Sequence, residues 1–300
     1  MTVTVLELIE ASAAQLEAAG LTFENGFGQG TTNAFDEAAW LVMWQLGLPL
    51  DDLDSVSNRP VVQAERAQVA TLLGARISTR RPAAYLTHEA WLMGVPFYVD
   101  ERVIIPRSFI AELLVDESID PWLGEDTRRV LDLCTGNGSL AVLAAITYPD
   151  VLVDAADISP DALAVARINI DKHALGSCIT LIESDGLAAC HGLTNGGYDL
   201  ILCNPPYVNA ASMAALPAEF KAEPVLALAG NMSGGSDGMD FIRSLFLTAA
   251  AHMSENAVLV LEIGNERDNF ERAFPQLEPL WFETSAGSDQ VMLLTREQLV

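Results

Sequence analysis

Asn204, Pro205, Pro206 and Tyr207 follow directly on an apolar run, Asp199-Leu200-Ile201-Leu202-Cys203, that reads as a buried parallel strand. Two consecutive prolines cannot continue that strand, because each lacks a ladder donor and fixes its own φ. The chain is therefore turned outward at the strand's C-terminal end, where open α/β sheets build their sites. It carries out an amide, two rigid carbonyl-bearing residues and an aromatic ring, a set able to grip a flat, neutral, polar group. Taken alone, the four residues read equally well as an ordinary strand-ending turn.

A second group sits earlier. Cys134-Thr135-Gly136-Asn137-Gly138 follows the strand-like run 129–133 and precedes a helix-like run 139–147. Glycines at 136 and 138 let backbone pass close to a ligand, and the helix start presents free N–H groups. Asp157 ends the next strand-like run, 19 residues beyond Gly138, and a carboxylate there can accept both hydroxyls of a ribose. Gly136–Ala141 fits the pattern G-x-G-x-x-A, which supports a nucleoside-containing cofactor without choosing between NAD and S-adenosylmethionine. Asp132 lies inside the end of the first strand, and Ser184-Asp185-Gly186 follows the third, near where an adenine edge would lie.

The elements that must hold these groups alternate. Strands are expected over 129–133, 151–157, 179–183, 199–203 and 257–263, with helices over 139–147, 160–173, 239–252 and 266–273 between or after them. A closing hairpin is expected over 280–284 and 290–294. Ser159 and Pro160 mark a capped helix start. Strands alternating with helices predict an α/β fold with a doubly wound, mostly parallel sheet. Residues 1–85 read as helical, with segments lined by Leu6, Ile9, Leu16 and Leu21, by Phe35–Leu48, and by Val61–Ile77 opened by Pro60. Trp40 and Trp44, at i and i+4, read as core. A hairpin with a Gly/Pro turn over 90–100, a helix from Phe109 to Ser118 capped by Ser108, and a linker over 120–126 join the two parts. The expected organisation is thus 1–85, a hairpin and linker over 86–126, and a Rossmann-like domain over 127–300. The segment 208–239 is too long for a plain connection and reads as an insertion that covers the substrate.

Composition narrows the partners. The 300 residues carry 16 basic and 41 acidic side chains, a formal −25. Such a surface repels phosphate backbones and so argues against tight nucleic-acid binding, while it steers basic partners inward. No run is long and apolar enough for a bilayer span. Residues 1–7 have no basic leader region, so a cytoplasmic location is expected. Cys134, Cys178, Cys190 and Cys203 form no C-x-x-C pair and read as reduced thiols. Neither they nor His88, His173, His191 and His252 show metal spacing, and no metal is expected.

Together, Asp132–Gly138, Asp157–Leu163 and Asn204–Tyr207 resemble the class I methyltransferases that modify protein glutamine side chains at N5. The resemblance runs on through Pro82–Leu86, Val99–Ser108, Glu223–Leu228 and Gly234–Gly238, and so covers nearly the whole chain. Asn-Pro-Pro-Tyr alone is shared with adenine methyltransferases of nucleic acids. Phe97–Val103, Pro106-Arg107-Ser108, Cys134-Thr135-Gly136 and Leu216–Phe220 are similar to the branch acting on the third large-subunit ribosomal protein. The release-factor branch usually has glycine at the position of Cys134 and an aromatic at that of Gly186. Phe109 stands where this family leads one to expect proline.

The resemblance implies a Rossmann-like domain closed by an antiparallel strand and a helical N-terminal substrate-recognition domain. It implies S-adenosylmethionine held by Asp132, Cys134, Thr135, Gly136, Asn137, Gly138, Asp157, Ile158, Asp185, Gly186 and Asn204. It implies catalysis by Asn204, Pro205, Pro206 and Tyr207, and a basic ribosomal-protein substrate met free, before assembly. The alternatives are methylation of release factors, methylation of adenine in nucleic acid, and a non-catalytic cofactor-binding assembly protein.

Overall fold

The computed structural model describes residues 3–23, 25–194, 196–231 and 233–300. Met1 and Thr2, which open the stretch read as lacking a leader, and Met232, inside the expected insertion, lie outside the described residues. The chain forms two compact units. The first takes in the residues up to Ala90 together with Val99–Glu101 and Leu216–Glu223, and the second takes in Trp91–Tyr98, Arg102–Ala215 and Pro224–Val300. The segment expected as hairpin and linker is thus shared between the units, and eight residues of the expected insertion belong to the first one.

In the first unit, β1 (Val3–Thr4) leads into α1 (Val5–Ala18), followed by α2 (Ala34–Gln45), α3 (Leu53–Val56), β2 (Pro60–Val61), α4 (Gln63–Thr79) and α5 (Ala83–Thr87). Thr4 and Glu7 form a reciprocal capping box at the start of α1. Val5, Ile9, Leu16, Leu41, Met43 and Leu73 meet in one core. Pro60 does not open a helix: Pro60–Val61 pairs antiparallel with β1. The helix starts three residues later, where the Glu65 carboxylate accepts the Val62 N–H at 3.0 Å. A two-stranded pair consists only of edges, where a missing proline donor costs little.

This core also holds a buried charge cluster. Arg76 is fully buried. Its Nε donates to Glu37 at 2.8 Å and its Nη1 to Glu219 at 3.2 Å. Arg80 reaches the same Glu219 oxygen at 2.6 Å. Burial raises the Glu37 carboxyl above its ordinary range, although Arg76 opposes that shift.

In the second unit, β3 (Ala90–Leu92) and β4 (Val95–Phe97) form a two-stranded sheet. Its turn is Met93-Gly94, both at positive φ (49° and 77°), and not the expected Gly/Pro stretch; a type I′ turn demands this conformation at both central positions. Next come α6 (Ile110–Val115), β5 (Arg129–Leu133), α7 (Ser139–Thr147), β6 (Leu152–Asp157), α8 (Pro160–Lys172), β7 (Ile179–Glu183) and β8 (Tyr198–Cys203). Beyond β8 lie α9 (Ala210–Ala215), α10 (Val225–Leu228), α11 (Asp240–Phe246), α12 (Ala249–His252), β9 (Met253–Glu262), α13 (Arg267–Ala273), β10 (Leu280–Trp281) and β11 (Val291–Thr295). Helix α6 is shorter than expected because Glu117 turns left-handed (φ 56°) and Ser118 N–H returns to Leu113 O at 2.9 Å. The single helix expected over 239–252 is two, since Thr248 N–H returns to Leu245 O (3.1 Å) and ends the first.

The large sheet has seven strands in the order β10-β11-β9-β8-β5-β6-β7. β5 to β9 are parallel, and β11 and β10 close one edge antiparallel. Both faces are covered, which is why the central strands read as mostly apolar runs and not as alternating ones. Val130, Leu200 and Val260 face α7 in one core, while Leu131, Ile201 and Leu259 face α11 and α13 in the other. The chain steps outward from β5 through β6 to β7 and then returns to β8 on the other flank of β5. The switch point therefore lies between β5 and β8, where an open α/β sheet leaves a crevice beyond its strand ends. No helix among the described residues is long and apolar enough to cross a membrane.

Candidate active site

Beyond those strand ends lies a cavity of about 510 Å³, a size suited to a cofactor. Cys134, Thr135, Gly136 and Asn137 form its wall after β5. Cys134 sits at φ 63°, Gly136 at φ 55° and Gly138 at φ 81°. The cysteine thus occupies a left-handed position that favours glycine, which explains why glycine is usual there. The hydrogen bond with the neighbouring Cys203 thiol, and then burial, hold the Cys134 thiol well above its ordinary pKa. Gly138 does not line the cavity. A Cβ there would lie 3.1 Å from that of Ala166 on α8, so this glycine lets helix and loop pass closely.

Asp132 is also behind the wall. Its Oδ2 accepts Thr135 Oγ1 at 2.5 Å and Ala141 N–H at 3.0 Å, tying the loop to the first turn of α7. Its Oδ1 is buried with no partner among the described residues. Burial pushes this carboxyl up to about 7 against the two hydrogen bonds.

Asp157 does line the cavity. Its two oxygens accept Gly136 N–H and Ser159 N–H, each at 2.9 Å. Each oxygen keeps a second lone pair for a ligand hydroxyl. Burial raises its pKa while the same N–H groups oppose the rise. Ile158, Asp185 and Gly186 complete this side. Gly186 is at φ 54° with open space beside it, a left-handed conformation that favours glycine.

Asn204 and Pro206 line the cavity; Pro205 and Tyr207 do not. The Asn204 amide makes no side-chain hydrogen bond among the described residues. Tyr207 packs against Gly264, where a Cβ would lie 2.6 Å from the ring, and its hydroxyl donates to Glu262 Oε1 at 3.4 Å. Gly238 lies under the Tyr207 carbonyl at φ 80°, where a Cβ would come within 2.0 Å of that oxygen. The glycines of the Gly234–Gly238 stretch therefore include one that the turn requires.

Some site residues went unseen in the sequence. Arg102, Arg107 and Ser108 bring residues 102–108 into the wall, and Asp240 and His252 line it from α11 and α12. His252 is buried, its Nδ1 has no partner among the described residues, and burial lowers its pKa. Ser108 does not act as a simple helix cap: its hydroxyl accepts Ile110 N–H at 3.3 Å but donates to Glu262 Oε2 at 2.6 Å. Phe109 N–H donates to that same oxygen at 2.9 Å, a bond the expected proline could not make. The signal for Glu262 was a lone carboxylate in the apolar run 257–263.

S-adenosylmethionine fits this set. Asn137 is buried and lines the cavity with an Nδ2 that has no partner among the described residues. Asp157 offers acceptors for ribose hydroxyls. Arg102 and Arg107, with Asp157, Asp185 and Asp240, supply both signs of charge for a zwitterionic, sulfonium-bearing molecule.

A doubly wound sheet with this loop, this acid and this turn at its switch point defines a class I methyltransferase dependent on S-adenosylmethionine. Residues 111–232 match the family model described as Methyltransferase small domain. The solved structure of the hMettl16 catalytic domain in complex with an RNA hairpin superposes with TM-score 0.52, at 14% identity, over 79% of this chain and 83% of that one, a likeness of fold. The ribosomal protein uL3 glutamine methyltransferase of Bordetella pertussis is 49% identical over 99% of this chain and 96% of its own length. Its counterpart in Neisseria meningitidis serogroup A is 46% identical over 99% and 94%. The chain belongs to the family of ribosomal protein uL3 glutamine methyltransferases.

Proposed function

We propose that this protein transfers a methyl group from S-adenosylmethionine to the side-chain amide nitrogen, N5, of a glutamine in ribosomal protein uL3. The observation that carries the reading is the Asn204 amide, without a side-chain hydrogen bond among the described residues and lining the cavity from the end of β8. A primary amide nitrogen is a poor nucleophile because its lone pair is delocalised into the carbonyl. Its attack requires the nitrogen to be held in line at near-attack distance. Asn204, which lines the cavity, accepts an N–H bond of the target amide at Oδ1, orienting it and favouring the positive charge that builds on nitrogen, while Pro205, outside the cavity wall, only fixes the direction of the turn. Pro206 keeps the turn stiff, and the Tyr207 ring buttresses it from its seat on Gly264. S-adenosylmethionine, held by Asn137, Asp157 and the other residues of this wall, would supply an electrophilic methyl group and depart as S-adenosylhomocysteine, the amide proton passing to solvent.

The formal −25 favours a basic substrate and disfavours one covered by RNA. Free uL3, and not the assembled subunit, is accordingly the proposed substrate, with the protein acting in the cytoplasm. Incubation with radiolabelled S-adenosylmethionine and free uL3, assembled large subunits, release factor or DNA tests this. Label is expected on free uL3, with a rate that falls as salt rises. Asn204→Ala is expected to bind S-adenosylhomocysteine within about threefold of wild type and to lose about 10³-fold in transfer. Label on release factor alone would overturn the substrate, and loss of cofactor affinity in Asn204→Ala would overturn the role of Asn204.

A further inference from the structure

Glu262, the last residue of β9, is 2% exposed. It stands on the strand beside β8, where Leu261 is paired with Cys203, so its neighbour along that edge is Asn204. Its two oxygens are used differently. Oε2 accepts both Ser108 Oγ (2.6 Å) and Phe109 N–H (2.9 Å), from the wall formed by residues 102–108. Oε1 faces the Tyr207 hydroxyl at 3.4 Å, on the turn that presents Asn204. The proposed transfer uses none of these carboxylate atoms directly, and a buried carboxylate is costly to keep unless it performs a task.

We propose that Glu262 is a positioning residue for methyl transfer: one carboxylate bridges the 102–108 wall and the Asn204–Tyr207 turn, and so fixes the width of the cavity where the target amide meets the cofactor. This rests on the function proposed above. Ser108 lines the cavity on one side, and Tyr207 is joined through Pro206 to the other. A misplacement of about 1 Å between reacting groups costs about 100-fold in rate, so a single bridge between the walls controls kcat more than cofactor affinity. Phe109 strengthens the assignment, because it contributes a backbone donor that only a non-proline residue has.

The bridge is also sensitive to protonation. Oε2 is saturated by two donors, so a proton added to Glu262 goes to Oε1 and reverses the Tyr207 bond. Burial raises the Glu262 carboxyl to about 7, while Ser108, the Phe109 and Ile110 N–H groups, and then the Arg107 guanidinium, hold it down. Tyr207 is the titratable group that bonds to it directly.

Two variants, read by kcat, cofactor affinity, pH profile and hydrogen exchange, test the bridge. In Glu262→Ala, kcat toward uL3 falls about 100-fold, while affinity for S-adenosylhomocysteine, by calorimetry, stays within about threefold. In Glu262→Gln the amide oxygen can still accept from Ser108 and Phe109 and the amide nitrogen can donate to Tyr207. That variant keeps kcat within about tenfold, as expected for weakening one hydrogen bond, and lacks the acid limb near pH 7 expected of wild type. Hydrogen exchange by mass spectrometry reads the bridge without activity: Glu262→Ala accelerates exchange in 105–110 and 204–208 together. Equal loss in both variants, cofactor affinity falling in step with kcat, or acceleration in one segment only would overturn the proposal. If wild type fails to label uL3 while exchange and cofactor binding behave as stated, the substrate is wrong and the bridge stands.

Discussion

Asp132→Asn isolates the cost of the charge that the structure buries behind the cofactor loop. The wild-type carboxyl is raised from 3.8 to about 7 by burial, with hydrogen bonds from Thr135 and Ala141 opposing. At about 1.36 kcal/mol per pH unit, ionising it in the folded protein costs about 4 kcal/mol more than in the unfolded chain. Between 3.8 and about 7 the folded state holds a proton that the unfolded state has released. Its contribution to stability is therefore present below 3.8 and is lost as pH rises through 7. Asparagine does not titrate. Its carbonyl keeps the Thr135 and Ala141 donors, and its amide takes the place of the unpartnered Oδ1, at a pH-independent cost of about 1–3 kcal/mol. Glu262 titrates alike in both proteins and cancels. From about pH 5 to about pH 8 the variant should therefore gain about 2–3 kcal/mol on wild type. Urea unfolding of both proteins across that range measures the difference. A difference flat to within about 0.5 kcal/mol, the usual scatter of such comparisons, would refute the buried ionisation. Because Asp132 does not line the cavity, affinity for S-adenosylhomocysteine should change by less than about threefold. A large loss would make Asp132 a direct cofactor ligand.

Gly264→Val places a branched side chain where even a Cβ meets the Tyr207 ring at 2.6 Å, on a backbone at φ 53°. Transfer to uL3 should fall at least about 100-fold with S-adenosylhomocysteine binding retained, as calorimetry would show. Arg76→Met strands the Glu37 carboxylate inside the first unit and leaves Glu219 with Arg80 alone, and should cost about 3–5 kcal/mol, read as a lowered denaturation midpoint. Adding Glu37→Met and Glu219→Met should recover much of that loss, whereas additive losses would show that the charges do not act as one cluster.

The chain's order of strands and helices around β5 to β8 was legible because each strand is a mostly apolar run bounded by its own punctuation: Gly136 and Gly138, Ser159 and Pro160, Pro205 and Pro206. Burial on both faces of a parallel sheet writes that pattern locally, and the turn after β8 needs only its two prolines. The resemblance added the cofactor and the glutamine, through motifs contiguous in sequence. What tertiary structure decided is non-local. Gly138 admits the close approach of α8, Asp132 ties the loop to α7 from behind, and Pro60 joins a strand with Thr4; each depends on a partner between 9 and 56 residues away. Leu216–Glu223 belongs to the first unit because Glu219 neutralises Arg76, 143 positions earlier. Glu262 bridges Ser108 and Tyr207, 154 and 55 positions away. Periodicity and capping report only a residue's near neighbours. A buried charge is explained by whatever the fold brings to it, and the folded chain alone supplies that partner.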